Sequence, residues 1–214
     1  IITTGLLSLD PRARVVGEEA CAADASLLEG IGEGTTWLVD PLDGTSNFAA
    51  GQGHFALMVA RIVNGEPVAS WIFDPGADAM YVAERGGGAF RNGERMTVTP
   101  TDTTATLRGV VATRFMPPDL QTEMKRRTQG FAELLPLMMC AGTEYPDVAV
   151  GRRHFVLYWR LLPWDHAPGT LFLMEAGGHV ARPDGSRYRV GEFGNGLLAT
   201  RSMDTWKEVH AKLF

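Results

Sequence analysis

The stretch that most constrains this chain is Trp37-Leu38-Val39-Asp40-Pro41-Leu42-Asp43-Gly44-Thr45-Ser46-Asn47-Phe48. An apolar run ending in a carboxylate is the pattern of a buried strand whose C-terminal lip carries function. Pro41 has no backbone donor for a sheet ladder, so it is expected to end the strand and leave Asp40 at the lip. Asp43 follows three residues on, and Gly44-Thr45-Ser46 makes a tight bend of small side chains. Two carboxylates are thereby held on a stiff turn, with free backbone N–H groups and a hydroxyl behind them. Oxygen-rich clusters of this kind suit hard divalent cations such as Mg²⁺, and exposed amides suit a phosphate. Asp43-Gly44 alone would be only a hairpin turn. A hairpin, however, has no use for Asp40 or Pro41.

Around this stretch the pattern is mixed. Leu6–Val16 is a short segment turning at Asp10-Pro11, and the Gly-rich loop from Glu29 to Gly34 lacks the Lys and following helix of a nucleotide phosphate loop. His54–Val63 and Pro67–Phe73 are apolar runs joined by Asn64-Gly65, a hairpin signal. Further runs at Met80–Ala83 and Met96–Val98, with turns at Asp74-Pro75-Gly76 and Asn92-Gly93, extend this into an antiparallel meander. Beyond it, strands expected at Gly109–Thr113, Leu134–Cys140, Phe155–Trp159, Gly178–Ala181 and Leu197–Thr200 alternate with helices. Those helices are expected from Pro117-Pro118-Asp119 to about Thr128, from Gly142 to near Gly151, from Pro168 to Ala176, and after the Ser202 cap. Mixed α/β is what pattern alone supports. With no internal repeat and no linker, we expect one unit, with an N-terminal lobe over about residues 1–105 and a C-terminal lobe over about 106–214.

Charge narrows the function classes. The net charge of −5 and the lack of a Lys/Arg block argue against nucleic acid or an anionic membrane as primary partner. An acidic enzyme acting on anionic phosphates needs metal ions to offset the repulsion. Cys21 and Cys140 lack Cys-x-x-Cys spacing and read as reduced packing residues. With no signal-peptide pattern and no 18-residue apolar run, a soluble cytoplasmic protein is expected. His54, His166 and His179 lack paired zinc spacing, and Trp37, Trp71 and Trp159 read as core.

Asp40-Pro41-Leu42-Asp43-Gly44-Thr45-Ser46-Asn47-Phe48 resembles the signature of the inositol monophosphatase family of Mg²⁺-dependent, lithium-sensitive phosphatases. Gly17-Glu18-Glu19 resembles that family's upstream motif. Trp164-Asp165-His166-Ala167-Pro168-Gly169 with Glu175-Ala176-Gly177-Gly178 resembles its downstream one. The resemblance implies the layered αβαβα sandwich of the inositol monophosphatase and fructose-1,6-bisphosphatase type. It implies a phosphoric monoester hydrolase acting on a small polyol or sugar phosphate by metal-activated water attack, and a homodimer. Alternatives are fructose-1,6-bisphosphatase or 3′(2′),5′-bisphosphate nucleotidase activity and, in another class, a regulatory binding protein.

The resemblance also implies roles. Glu18, Asp40 and the Leu42 carbonyl would hold one Mg²⁺, and Asp40, Asp43 and Asp165 a second, with a third, looser ion again at Glu18. Thr45 with Glu18 would orient the attacking water, and Li⁺ and Ca²⁺ would inhibit. Gly44, Thr45 and Ser46 would bind phosphate, while Gly142, Thr143, Glu144 and Tyr158 would line the substrate pocket. Two departures bear on specificity. Tyr158, seven residues before Asp165, stands where inositol-preferring members have a sugar-binding Glu, and Glu144-Tyr145 replaces a small Ala-Ala pair. Asn47-Phe48 leans toward inositol phosphates, fructose 1,6-bisphosphate or a related sugar phosphate.

Overall fold

A computed structural model describes residues 1–99, 107–131 and 133–214. The lobe boundary expected near residues 105–106 lies outside the described residues. The segment expected to turn at Asp10-Pro11 does so, between helix α1 (Ile2–Leu9) and strand β1 (Arg14–Gly17), with α2 (Glu18–Ala23) following. Strand β2 (Thr35–Asp43), α3 (Thr45–Ala49) and the meander β3 (Ala56–Val63), β4 (Glu66–Asp74), β5 (Ala79–Glu84), β6 (Gly88–Arg91) and β7 (Glu94–Met96) follow. They form a seven-stranded sheet in sequence order, antiparallel from β2 onward, with β1 and β2 parallel. The Asn64-Gly65 and Asn92-Gly93 turns both take positive φ at their two residues, as a type I′ hairpin demands.

Pro41 does not end β2. The strand continues to Asp43 through a register shift between Asp40 and Asp43, and Pro41 is tolerated because a bulge leaves its residue unpaired. The bulge turns both carboxylates toward the same end of the sheet.

The second half comprises β8 (Arg108–Val111), α4 (Pro118–Arg127), β9 (Glu133–Leu134), α5 (Ala141–Ala149), β10 (Phe155–Tyr158), α6 (Pro163–Glu175), β11 (His179–Ala181), β12 (Leu197–Thr200) and α7 (Met203–Leu213). Its five strands form a mixed sheet in the order β11-β12-β10-β8-β9. Two expectations are corrected. The apolar run Leu134–Cys140 is strand only at its start: Pro136 has no donor, the Leu135 amide goes to the Gly109 carbonyl, and the Met138 amide goes to the Glu144 side chain. Helix α6 opens at Pro163 rather than Pro168, so Asp165 sits inside its first turn and Pro168 within the helix. Ser202 caps α7 as expected, its hydroxyl accepting from the Thr205 amide.

Alternation along the strands explains the layering. Trp37, Val39 and Val59 face Ile2 and Leu6 of α1, whereas Leu38, Ala60 and Ile62 face Trp164 and Ala167 of α6. Met58 and Ile72 meet Tyr145, Val148 and Phe172 of α5 and α6, which meet Val156 and Ala199 of the second sheet from the other side. Phe155, Leu157 and Leu198 point the opposite way, onto Met124 of α4 and Trp206, Val209 and Leu213 of α7. The result is helix, sheet, helix pair, sheet, helix pair, which is the αβαβα sandwich. Helices α5 and α6, buried on both sides, start at the end of the first sheet that carries the bulge.

Candidate active site

Strand ends and helix starts build the site. Because β1 and β2 are parallel, with Gly17 paired to Val39, the next residue of each chain segment emerges at the same edge. Glu18 therefore starts α2 beside Asp40. The bulge adds Asp43, Thr45 opens α3, Asp165 projects from the first turn of α6, Glu144 from that of α5, and Tyr158 closes β10. Glu18, Asp40, Leu42, Asp43, Gly44, Thr45, Ser46, Glu144, Tyr158 and Asp165 all line one cavity of about 370 Å³. Gly142 and Thr143 do not. They lie behind the wall, where the Gly142 amide donates to Asp43 Oδ2 at 2.7 Å and Thr143 Oγ1 contacts Cys140 Sγ at 3.3 Å. Glu19 is exposed and outside the cavity.

Backbone donors fix the carboxylates. The Leu42 amide donates to Asp40 Oδ1 at 2.8 Å, and Thr45 Oγ1 donates to the Leu42 carbonyl at 2.9 Å. Gly44 makes the bend possible. Its φ is +87°, and a Cβ there would lie 2.6 Å from the His54 carbonyl oxygen. Asn47, read in the sequence as a substrate-choice signal, instead clamps the loops, its amide nitrogen donating to the His54 and Met138 carbonyls at 2.8 Å each.

The electrostatics are those of an acid cluster short of positive charge. Burial pushes Asp40 up to about 7, helped by the charges of Asp43 and Glu18 and opposed by the Leu42 N–H. Burial likewise raises Asp43 to about 6 against the Gly142 N–H, with Glu18 adding to the rise. Burial also drives Asp165 well above the usual carboxylate range, with Asp43, Asp40 and Glu18 adding to it and Arg160 opposing. As they stand, no three carboxylate, thiol or imidazole groups among the described residues converge tightly enough to hold one ion. The donor set nevertheless fits a hard divalent cation: it is all oxygen and largely buried, and burial makes the ionisation of Asp40, Asp43 and Asp165 costly, a strain a bound cation relieves.

At the back of the cavity Glu144 is almost wholly buried, its carboxyl raised to about 7 by burial and held by the Met138 N–H at 2.9 Å and by Arg153 Nη1 at 3.4 Å. Beside it Tyr158 Oη is buried with no hydrogen-bond partner among the described residues. His166 also lines the cavity, but its ring is tied to Tyr145 Oη and the Arg160 carbonyl at 3.1 Å each, and burial lowers it to about 4, so it is a neutral packing group. Sequence reasoning missed Arg153, for which the need of a buried Glu144 for a cation was the available signal. It also missed Arg114, Phe115 and Arg160, while Trp159, read as core, packs against the second core and lines the cavity as well. Cys21 and Cys140 are both free and buried.

The sequence model of the inositol monophosphatase family matches residues 1–214. An inositol-1-monophosphatase of Rhizobium meliloti is 35% identical, over 86% of this chain and 69% of the relative. A fructose-1,6-bisphosphatase/inositol-1-monophosphatase of Thermotoga maritima is 32% identical, over 81% and 68%. Among solved structures, inositol monophosphatase II of Staphylococcus aureus superposes with a TM-score of 0.84 at 27% identity, over 98% of this chain and 77% of that one. The chain spans about two thirds of the length of the curated relatives it matches.

Proposed function

Because this chain belongs to the inositol monophosphatase family, we propose that it hydrolyses a phosphate monoester of a small polyol or sugar, using Mg²⁺ held by Glu18, Asp40, the Leu42 carbonyl, Asp43 and Asp165. The observation that carries the reading is the convergence of Asp40, Asp43 and Asp165 with Glu18 on one cavity, where burial raises the cost of ionising the three aspartates. When bound, the ions supply positive charge to the phosphoryl and leaving oxygens and make a hydroxide nucleophile accessible near neutral pH.

The chain's own groups do the positioning. Thr45 Oγ1 spends its hydrogen on the Leu42 carbonyl, so its lone pairs are free to accept from the attacking water, with Glu18 as the second acceptor. The Leu42 carbonyl keeps one lone pair for an ion while accepting from Thr45 with the other. The Gly142 N–H holds Asp43 in place from behind. Gly44, Thr45 and Ser46 present the turn against which the phosphoryl group sits. Toward the organic part of the substrate, Tyr158 offers a phenol donor and the neighbouring Glu144 an acceptor, the phenol lying near enough to help hold the carboxylate, a pair suited to a sugar hydroxyl. Two free cysteines fit a reducing, cytoplasmic setting, and a homodimer accords with the family resemblance. No helix among the described residues is long and apolar enough to cross a membrane. Phosphate release from inositol 1-phosphate with and without Mg²⁺ tests the reading, which predicts release only with the ion. Light scattering tests the dimer.

A further inference from the structure

The floor of the cavity is acidic, but its mouth is not. Arg114, Phe115 and Arg160 line the same cavity as the carboxylates. Arg160 Cζ lies 3.9 Å from the centre of the Phe115 ring and Arg114 Cζ 5.3 Å from it. Phe115 is 47% exposed, on the loop after β8, and both arginines are exposed. Among the described residues neither guanidinium pairs with a carboxylate, and the one side-chain partner is Met139 Sδ, 4.0 Å from Arg114. A guanidinium lying over an aromatic face is held in place while the N–H groups around its edge stay free. That planar fork matches phosphate oxygens in bidentate fashion. Two such cations, oriented by one ring and without an ion-pair partner among the described residues, form an anion receptor at the mouth of the cavity whose floor the carboxylates make.

We propose that Arg114 and Arg160, ordered on Phe115, bind a second phosphate on the substrate, so that this chain prefers small organic bisphosphates to monophosphates. The inference rests on the phosphatase reading above and names the substrate class for that site. The reacting phosphate lies at the acidic floor and the distal one at the arginine mouth. Because Arg160 already covers Phe115, that ring serves to hold guanidinium rather than to stack a base.

Calorimetric binding of fructose 1,6-bisphosphate and of fructose 1-phosphate, with Ca²⁺ replacing Mg²⁺ to hold turnover down, tests this on the intact chain. We expect the bisphosphate to bind roughly 10- to 100-fold more tightly, the effect of one or two charge-assisted hydrogen bonds. Arg114→Ala and Arg160→Ala should each remove most of that ratio. Arg160→Lys, which keeps the charge without the fork, should restore part of it. Equal binding of the two ligands by the unaltered protein overturns the inference. So does an equal weakening of both ligands in the alanine variants, which would assign the arginines to the reacting phosphate or to the carboxylates. A bisphosphate preference that persists while Mg²⁺ supports no phosphate release from either ester upholds the anion receptor and overturns the phosphatase reading alone.

Discussion

Asp43 stands under opposed demands. Its carboxylate is buried next to other acids, so in the metal-free protein ionisation is costly, and the pKa rises from an ordinary 3.8 to about 6. A carboxyl whose folded pKa is raised favours the fold most below its unfolded value and loses that contribution as pH rises through the folded one. The metal-free protein should therefore lose stability between about pH 4 and pH 6 on this residue's account. Asp43→Asn, whose amide oxygen can still accept from Gly142, should melt higher than the unaltered protein at pH 8, by a margin that shrinks toward pH 4, as thermal melts would show. Added Mg²⁺ should reverse that order. The same variant, and Asp165→Asn, should cut turnover by at least about 10²-fold, since even partners that only orient a ligand are worth 10- to 100-fold. At this scale the acids were legible because Asp40, Asp43 and the bend at Gly44 are contiguous. The cations were not. Nothing local separates Arg114, Arg153 and Arg160 from the other arginines, and only the tertiary fold brings Arg153 to Glu144 and sets Arg160 over Phe115.

Elements position the acids through a few close approaches. Helix α5 lies so near β3 that a Cβ on Gly142 would fall 2.5 Å from that of Ala56. Gly142→Ala should therefore cost about 1–3 kcal/mol by overpacking and lower turnover as well, because the displaced amide is the one that holds Asp43. Ala56→Gly in the same chain should recover part of both losses, and denaturant melts with parallel assays would check this. Asn47→Ala, which removes two hydrogen bonds to carbonyls, should cost about 1–2 kcal/mol by the same melts. Hairpins were legible from Asn64-Gly65 and Asn92-Gly93, whose residues are those that positive φ favours. Prolines misled in both directions. Pro41 sits in a bulge rather than at a strand end, Pro168 lies inside α6 rather than opening it, and Pro136 breaks up an apolar run that reads as a strand. A proline forbids a donor, but whether that donor is needed depends on a neighbouring segment.

The whole molecule brings motifs from Glu18, Asp40–Ser46 and Asp165 to one cavity because helices α5 and α6 are clamped between two sheets at the bulged end of the first. Pattern alone yielded a mixed α/β class. The layering followed only from the family resemblance, since strand order and the parallel β1–β2 pair leave no trace in local periodicity. On this account Li⁺ and Ca²⁺, which would compete for oxygen ligands matched to Mg²⁺, should inhibit turnover, and a dose series of each checks that. The central claim is that the acid cluster is a metal-dependent phosphate site. Its most direct test is phosphate release from inositol 1-phosphate and fructose 1,6-bisphosphate by chelator-treated protein, before and after Mg²⁺ is restored. Release is expected only after Mg²⁺ is added, and from Asp43→Asn at a rate lower by at least about 10²-fold. Release that persists without the ion, or at the unaltered rate in a folded Asp43→Asn, would contradict the metal-dependent site.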